Sequence, residues 1–262
     1  MLLLLFRYRW FLLLMLSTSV PMAAFSGPAV QAEDFRVETR IFSDGSDQPV
    51  SETLTLFAGG VVYDFPSDDA RVTIYAPQDN RIVLLDRERR VRCEMSEDLL
   101  LDFSARVRDW AAEHDSQLMR FAAEPRFELK SEPDTGWLRF ASRWIRYDVE
   151  TRPALSVDVA NQYRRSSDAF AHLNTLTNPG GLPPFARLAV NRALAEDAAV
   201  PAEIRLHIPP QPQFGNQSVD LRSHHHFRGA LDGSDQARLE EAARANASFR
   251  DVKLREFLKS EE

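Results

Sequence analysis

The sequence predicts an α+β fold: a curved antiparallel β-sheet of about ten strands, a half-barrel, with helices packed on its concave face as a lid. Three observations predict it. Between Phe35 and Met95, apolar and polar residues alternate in six short runs joined by turn formers. At Ser96 the apolar spacing changes to three and four residues, the period of a helix. Beyond Pro125, strand-like and helix-like runs interleave, so each helical stripe has a sheet to cover.

The N-terminus comes first. "MLLLLFRYRW" places Arg7 and Arg9 before the apolar run Phe11–Val20, and Pro21 then breaks any helix. Val30 and Ala32 stand at the small-residue positions of a cleavage site. This order predicts a signal peptide over residues 1–32, cut after Ala32, and an exported chain, periplasmic or secreted. An uncleaved anchor is the alternative, but the apolar run is about half the ~20 residues a membrane span requires. No stable transmembrane segment is expected after cleavage. Residues 33–262 then read as a single half-barrel domain with helical insertions and a C-terminal helix.

Charge and cysteine content narrow the function classes. The chain carries 32 basic and 39 acidic residues, and losing Arg7 and Arg9 leaves 30 against 39, a net charge of −9. That disfavours nucleic acid or an anionic membrane as the main partner. Cys93 is the lone cysteine, so cohesion comes from packing and not from an internal disulfide. In "RVRCEM" it alternates with Val91 and Met95, as a buried small hydrophobe does.

Strands and helices follow in order. "FRVETRIF" sets Phe35, Val37 and Ile41 against Arg36, Glu38 and Arg40. "ETLTLF", "GVVYDF", "RVTIYA", "RIVLLD" and "RVRCEM" repeat the period, which predicts consecutive antiparallel hairpins. Ser96 to Pro125 reads as one amphipathic helix with Leu100, Phe103, Val107, Trp110, His114, Leu118 and Phe121 on its stripe. "RFELK", "GWLRFAS" and "WIRYDVE" return to strand. "SVDVANQYRRSSDAFAHLNTLTNPGG" is a second helix and "LPPFARLAVNRALAED" a third. The strand "AEIRLHI", the loop "PPQPQFGNQ", a histidine-bearing strand and a closing helix complete the chain. "DGSDQ" occurs at Asp44–Gln48 and Asp232–Gln236, where turn and helix-cap chemistry explains it better than a calcium loop.

Two groups of candidate site residues emerge. In a strand over Val219–Phe227, Asp220, Arg222, His224 and His226 share one face. His-x-His offers zinc two nitrogens, with Asp220 as a further ligand, but zinc requires more. A hairpin around the proline-rich loop puts His207 near Ser218 and roughly 20 Å from His224. An exposed histidine pair is the reading preferred to a metal site. The second group is aromatic: Trp110, Phe121, Trp137, Phe140, Tyr147, Tyr163, Phe170 and Phe185 fall where a lid would meet a sheet. His114 adds one polar group on the first helix. A curved sheet with more apolar lining than its helices fill leaves a pocket. Nucleophile elbows, zinc-protease helices and phosphate loops are absent from the sequence, so neither catalytic residues nor a cofactor is expected.

The layout of signal peptide, strands, helical insertion, strands and closing helix resembles the lipoprotein-carrier family of the bacterial periplasm. "GGVVYDFPSDDARVTIYAPQDNRIVLLDRERR" (Gly59–Arg90) is similar to that family's run of hairpins, and "FARLAVNRALAEDAAVPAEIRLHI" is a fainter match to its late region. The resemblance covers about half the chain. It implies an exported binding protein holding an apolar or lipid-like ligand, with a lipoprotein's acyl chains among the candidates. An envelope scaffold without a pocket and a metal-dependent enzyme on His224 and His226 are the alternatives.

Overall fold

The computed structural model describes residues 33–43, 45–67, 70–132, 134–178, 180–211 and 216–259, which belong to one compact unit. The expected signal peptide, and residues 212–215 of the proline-rich loop, lie outside them. Six strands open the fold: β1 (Phe35–Ser43), β2 (Ser51–Ala58), β3 (Val61–Pro66), β4 (Arg71–Ala76), β5 (Arg81–Asp86) and β6 (Val91–Ser96). Helices α1 (Glu97–Ala112) and α2 (Gln117–Ala123) follow, then β7 (Glu128–Glu132), β8 (Trp137–Ala141) and β9 (Arg146–Pro153). Next come α3 (Val157–Thr177), α4 (Phe185–Glu196), β10 (Ala199–Gln211) and β11 (Gln217–Arg228). The end is α5 (Gly233–Ser248), β12 (Arg250–Asp251) and α6 (Leu254–Phe257).

All twelve strands join one curved, unclosed sheet in the order β12-β6-β5-β4-β3-β2-β1-β11-β10-β9-β8-β7. Every pairing is antiparallel except the short β12–β6 contact. The architecture is the α+β open sheet with packed helices that the alternation predicts. Two meanders, β1–β6 and β7–β9 with β10 and β11, meet at the β1–β11 ladder, so the first strand lies in mid-sheet.

The sheet has two unlike faces. On the inner face Phe35, Val37, Phe57, Val62, Tyr75 and Ile82 are buried against Val159, Tyr163, Ala169 and Leu173 of α3. The α3 residues recur at helical spacing, which is why this helix lies flat on the strands. Phe35 stacks on Phe57 with ring centroids 3.9 Å apart, and Tyr163 meets Phe227 edge-on at 5.0 Å. Farther along, Ala186, Val190 and Leu194 of α4 pack on Tyr147, Val149 and Ile204. The closing helix α5 lies on the opposite, outer face, where Ala242 and Ala245 cover Leu56, Ile74 and Val83. Both faces therefore carry helix, which refines the expectation of a single lidded face. Arg36 fastens α5 there: its guanidinium donates to both carboxylate oxygens of buried Asp235 at 2.9 Å, and Asp235 closes the capping box with Asp232.

The first helix departs from expectation. Ser96–Pro125 is two helices, because the His114 Nδ1 accepts the Ser116 N–H at 2.9 Å and the Ser116 hydroxyl starts a new helix by accepting from Met119. Side-chain acceptors here compete with helical hydrogen bonding. The buried stripe of α1 is Leu100, Ser104 and Ala111, one step around the helix from the expected stripe, and Trp110 is 55% exposed. Ser104 and His172 of α3, both buried, share a 2.7 Å hydrogen bond that ties the two helices together.

Candidate ligand-binding cavity

Beneath α3 and α4 the inner face is not filled. A cavity of about 450 Å³ extends from Asp64 on β3, past β2, β1, β11 and β10, to Tyr147 on β9. Its apolar walls are Val37, Ile41, Phe57, Phe170, Ile204, Leu206 and Leu221. A second recess of about 330 Å³ adjoins it, and Asp64, Phe170 and Asn174 line both.

Local sequence explains the gap. Inner-face positions that hold Phe or Val at one end of β1 and β2 hold Thr39, Thr53 and Thr55 at the other. These smaller hydroxyl residues line up across the sheet: Thr39 lies between Thr53 and His225, and Thr55 lies opposite Asp64. On α3 the side facing them presents Ser166, Ser167 and, two turns on, Asn174, so neither layer supplies enough bulk to close the space.

Polar groups converge on this space from both ends. At the β3 end, burial pushes the Asp64 carboxyl up to about 6, against a 2.7 Å hydrogen bond donated by the Thr55 hydroxyl. At the other end stands Arg187, in the first turn of α4. Its Nε donates to Asn191 Oδ1 at 2.9 Å, and the Tyr163 hydroxyl lies within its hydrogen-bonding reach. Burial raises the Tyr147 and Tyr163 hydroxyls, and Arg187 opposes both shifts. His225 is held neutral, its pKa lowered to about 3 by burial, then by Arg187 and His224. Its two ring nitrogens are occupied by Thr39 Oγ1 at 3.2 Å and Ser223 Oγ at 2.9 Å.

Of the aromatic candidates, Tyr147, Tyr163 and Phe170 line the cavity. Phe121 and Phe140 sit apart in the neighbouring core with Phe127, through edge-on contacts of 5.4 and 5.9 Å. Trp137 lies on the outer face under the Arg205 guanidinium, 4.6 Å from its ring centre, because β8 turns Leu138 and Phe140 inward. Phe185 is buried below Arg108, and Trp110 packs on His114 at 4.8 Å away from the cavity. Arg187, Asp64 and the hydroxyl row escaped the sequence reading; the run of inner-face threonines in β1 and β2 is the signal that marks them.

The histidine strand is β11, with Asp220, Arg222, His224 and His226 on the outer face. Its partner β10 runs on past Ile208 to Gln211, which pairs with Gln217, so the hairpin is shifted by two residues from the expected register and His207 lies opposite Asp220 and not Ser218. His207 Nδ1 and Asp220 Oδ1 are 2.6 Å apart, and that hydrogen bond, followed by one from Ser218, holds the Asp220 carboxyl below its usual range. His224 Nε2 stands 3.0 Å from Glu203 Oε2, and His226 lies opposite Glu38. The three groups named for a metal thus face three different partners. No cluster of three or more His, Cys, Asp or Glu placed to hold a metal occurs among the described residues. A recess of about 420 Å³ does lie over this strand, walled by three acids, Glu38, Glu150 and Glu203, and two arginines, Arg40 and Arg152, beside the histidines.

Comparison with known proteins gives no match to a family model and none to a curated protein.

Proposed function

We propose that the chain is an exported binding protein that holds a lipid-like ligand between the inner face of the sheet and helices α3 and α4. The cavity of about 450 Å³ carries this reading. Its size is within the range of small-molecule sites, and it pairs apolar walls with a few convergent polar groups. At roughly 30 Å³ per non-hydrogen atom, the volume of a water in the liquid, it accommodates about 15 such atoms. That suits a single medium-length chain. Each buried CH₂ contributes ~0.8 kcal/mol, so such a chain gains several kcal/mol before the cost of immobilisation is met. The N-terminal export signal read in the sequence and the likeness in layout to the periplasmic lipoprotein carriers support the same reading.

Native mass spectrometry of untagged protein purified from its own cell envelope tests the proposal. An adduct of a few hundred daltons, released by mild activation, is the expected result. Phe170→Asp, which puts a charge where the two recesses join, should remove the adduct while the protein stays folded by circular dichroism. A bare polypeptide mass, together with failure to take up added dodecanoate or dodecanol, would show the space to be an unfilled part of a scaffold.

A further inference from the structure

Among the described residues, Arg187 is the one cation that lines the cavity of about 450 Å³. Four other arginines near the helices are matched by acids: Arg36 by Asp235, Arg89 by Asp86, Arg165 by Glu97 and Arg164 by Asp168. Arg187 is different. No Asp or Glu among the described residues is ion-paired with it, and its protein partners, Asn191 and Tyr163, are neutral. Asp168 is held one residue away, because Asn191 Nδ2 donates to it at 2.8 Å while Asn191 Oδ1 takes Arg187. A half-buried guanidinium with donors to spare, at the wall of a cavity, is a standing site for an anion. The surrounding side chains match that role, since Tyr163, Tyr147, Ser167 and Ser223 line the same space and each carries a hydroxyl able to donate. The cavity's acid, Asp64, is on β3, five strand positions from the Tyr147 strand, at the far end of the cavity from Arg187.

Building on the binding-protein reading above, we propose that the ligand is a single-chain amphiphile with a small anionic head, a carboxylate or a phosphate monoester. The head is held by Arg187 and the hydroxyls beside it. The chain lies along Ile204, Leu206, Ile41 and Val37 toward Phe57 and Phe170. Asn191 is a positioning residue: it fixes the guanidinium and keeps Asp168 from neutralising it.

Calorimetric titration of the full protein, freed of bound lipid, with dodecanoate, dodecyl phosphate, dodecanol and dodecyltrimethylammonium tests this. The expected order places at least one anion about tenfold or more above the alcohol, the factor given by 1.4 kcal/mol, with the ammonium weakest. Whichever anion binds tighter names the head group. In Arg187→Gln the anion should fall to the level of the alcohol while dodecanol binding stays within about twofold, and Arg187→Lys should recover part of the preference. Equal binding of acid and alcohol by the wild type would overturn the anionic head and leave the apolar cavity reading intact. So would tightest binding of the ammonium, or equal loss of acid and alcohol in Arg187→Gln. Binding of none of the four probes would overturn both. The wild-type comparison decides the matter even if the Arg187 variants fail to fold.

Discussion

Protonation of the unfolded chain at His225 should make the protein acid-sensitive from below pH 6.5. In the fold the imidazole is held neutral, with its pKa lowered to about 3 from an ordinary 6.5, chiefly by burial and then by Arg187 and His224. The sign follows from linkage. Between these two values the unfolded state binds a proton that the folded state does not, so stability is full above pH 6.5 and falls as pH drops toward 3. At pH 5 the loss is 1.5 pH units at 1.36 kcal/mol each, about 2 kcal/mol, an upper bound because the ring keeps some solvent contact. His225→Gln retains a donor and an acceptor for Thr39 and Ser223 but cannot titrate. Urea unfolding of both proteins at pH 7.5, 6 and 5 measures the effect. At pH 7.5 the variant should be less stable by about 1 kcal/mol, the worth of imperfectly replaced hydrogen bonds. By pH 5 it should have drawn level or moved ahead. The difference between the two proteins is the quantity to read, because Asp64 titrates in the same window with the opposite sign: its raised carboxyl costs stability as pH rises from 3.8 to about 6. A gap between wild type and variant that stays constant from pH 7.5 to 5 would refute the buried neutral imidazole.

Two further outcomes probe the frame around the cavity. Arg36→Met should destabilise by about 3–5 kcal/mol, because it strands the buried carboxylate of Asp235, and adding Asp235→Asn should recover a measurable part of that in urea melts. Gly136, in the β7–β8 turn, has φ +72°, and a Cβ there would sit 3.2 Å from the Thr151 carbonyl oxygen. Gly136→Ala should therefore lower stability by at least about 1–2 kcal/mol. Gly233→Ala, at the start of α5 with open space around it, should cost nothing measurable in the same assay.

Backbone architecture was largely legible because it rests on periodicity. The first six strands fall where the alternation and turn residues place them, since each buries one side chain in two. Features that depend on which neighbours meet were less legible. The Trp110 stripe looked continuous, yet a local hydrogen bond from the Ser116 amide to His114 breaks the helix, and α1 buries the neighbouring face of Leu100, Ser104 and Ala111, leaving Trp110 outward. The order of strands, with β1 beside β11, has no local signature at all. For the cavity, Tyr147, Tyr163 and Phe170 were readable as apolar residues on inward faces. Asp64 and Arg187 were not, because a charge on a strand or helix ordinarily marks a solvated face. Their meaning appears only once α3 and α4 lie over the sheet.

The mid-sheet position of β1 also bears on how the chain folds. Its partner β2 is available at once, but its other edge must wait for β11, and the contact between Thr39 and His225 spans 186 residues. Until that ladder forms, the first meander exposes a long unpaired strand of alternating apolar residues, the kind of edge that invites association with other chains. Pairing across so great a sequence distance is slow. It also completes the cavity wall, since β1 and β11 supply adjoining parts of it. A chain that has not yet joined its two meanders therefore lacks the cavity, and a ligand of the proposed kind that bridges the seam would favour the joined state by mass action. Binding at the proposed site and closure of the chain would then be coupled through one ladder of hydrogen bonds.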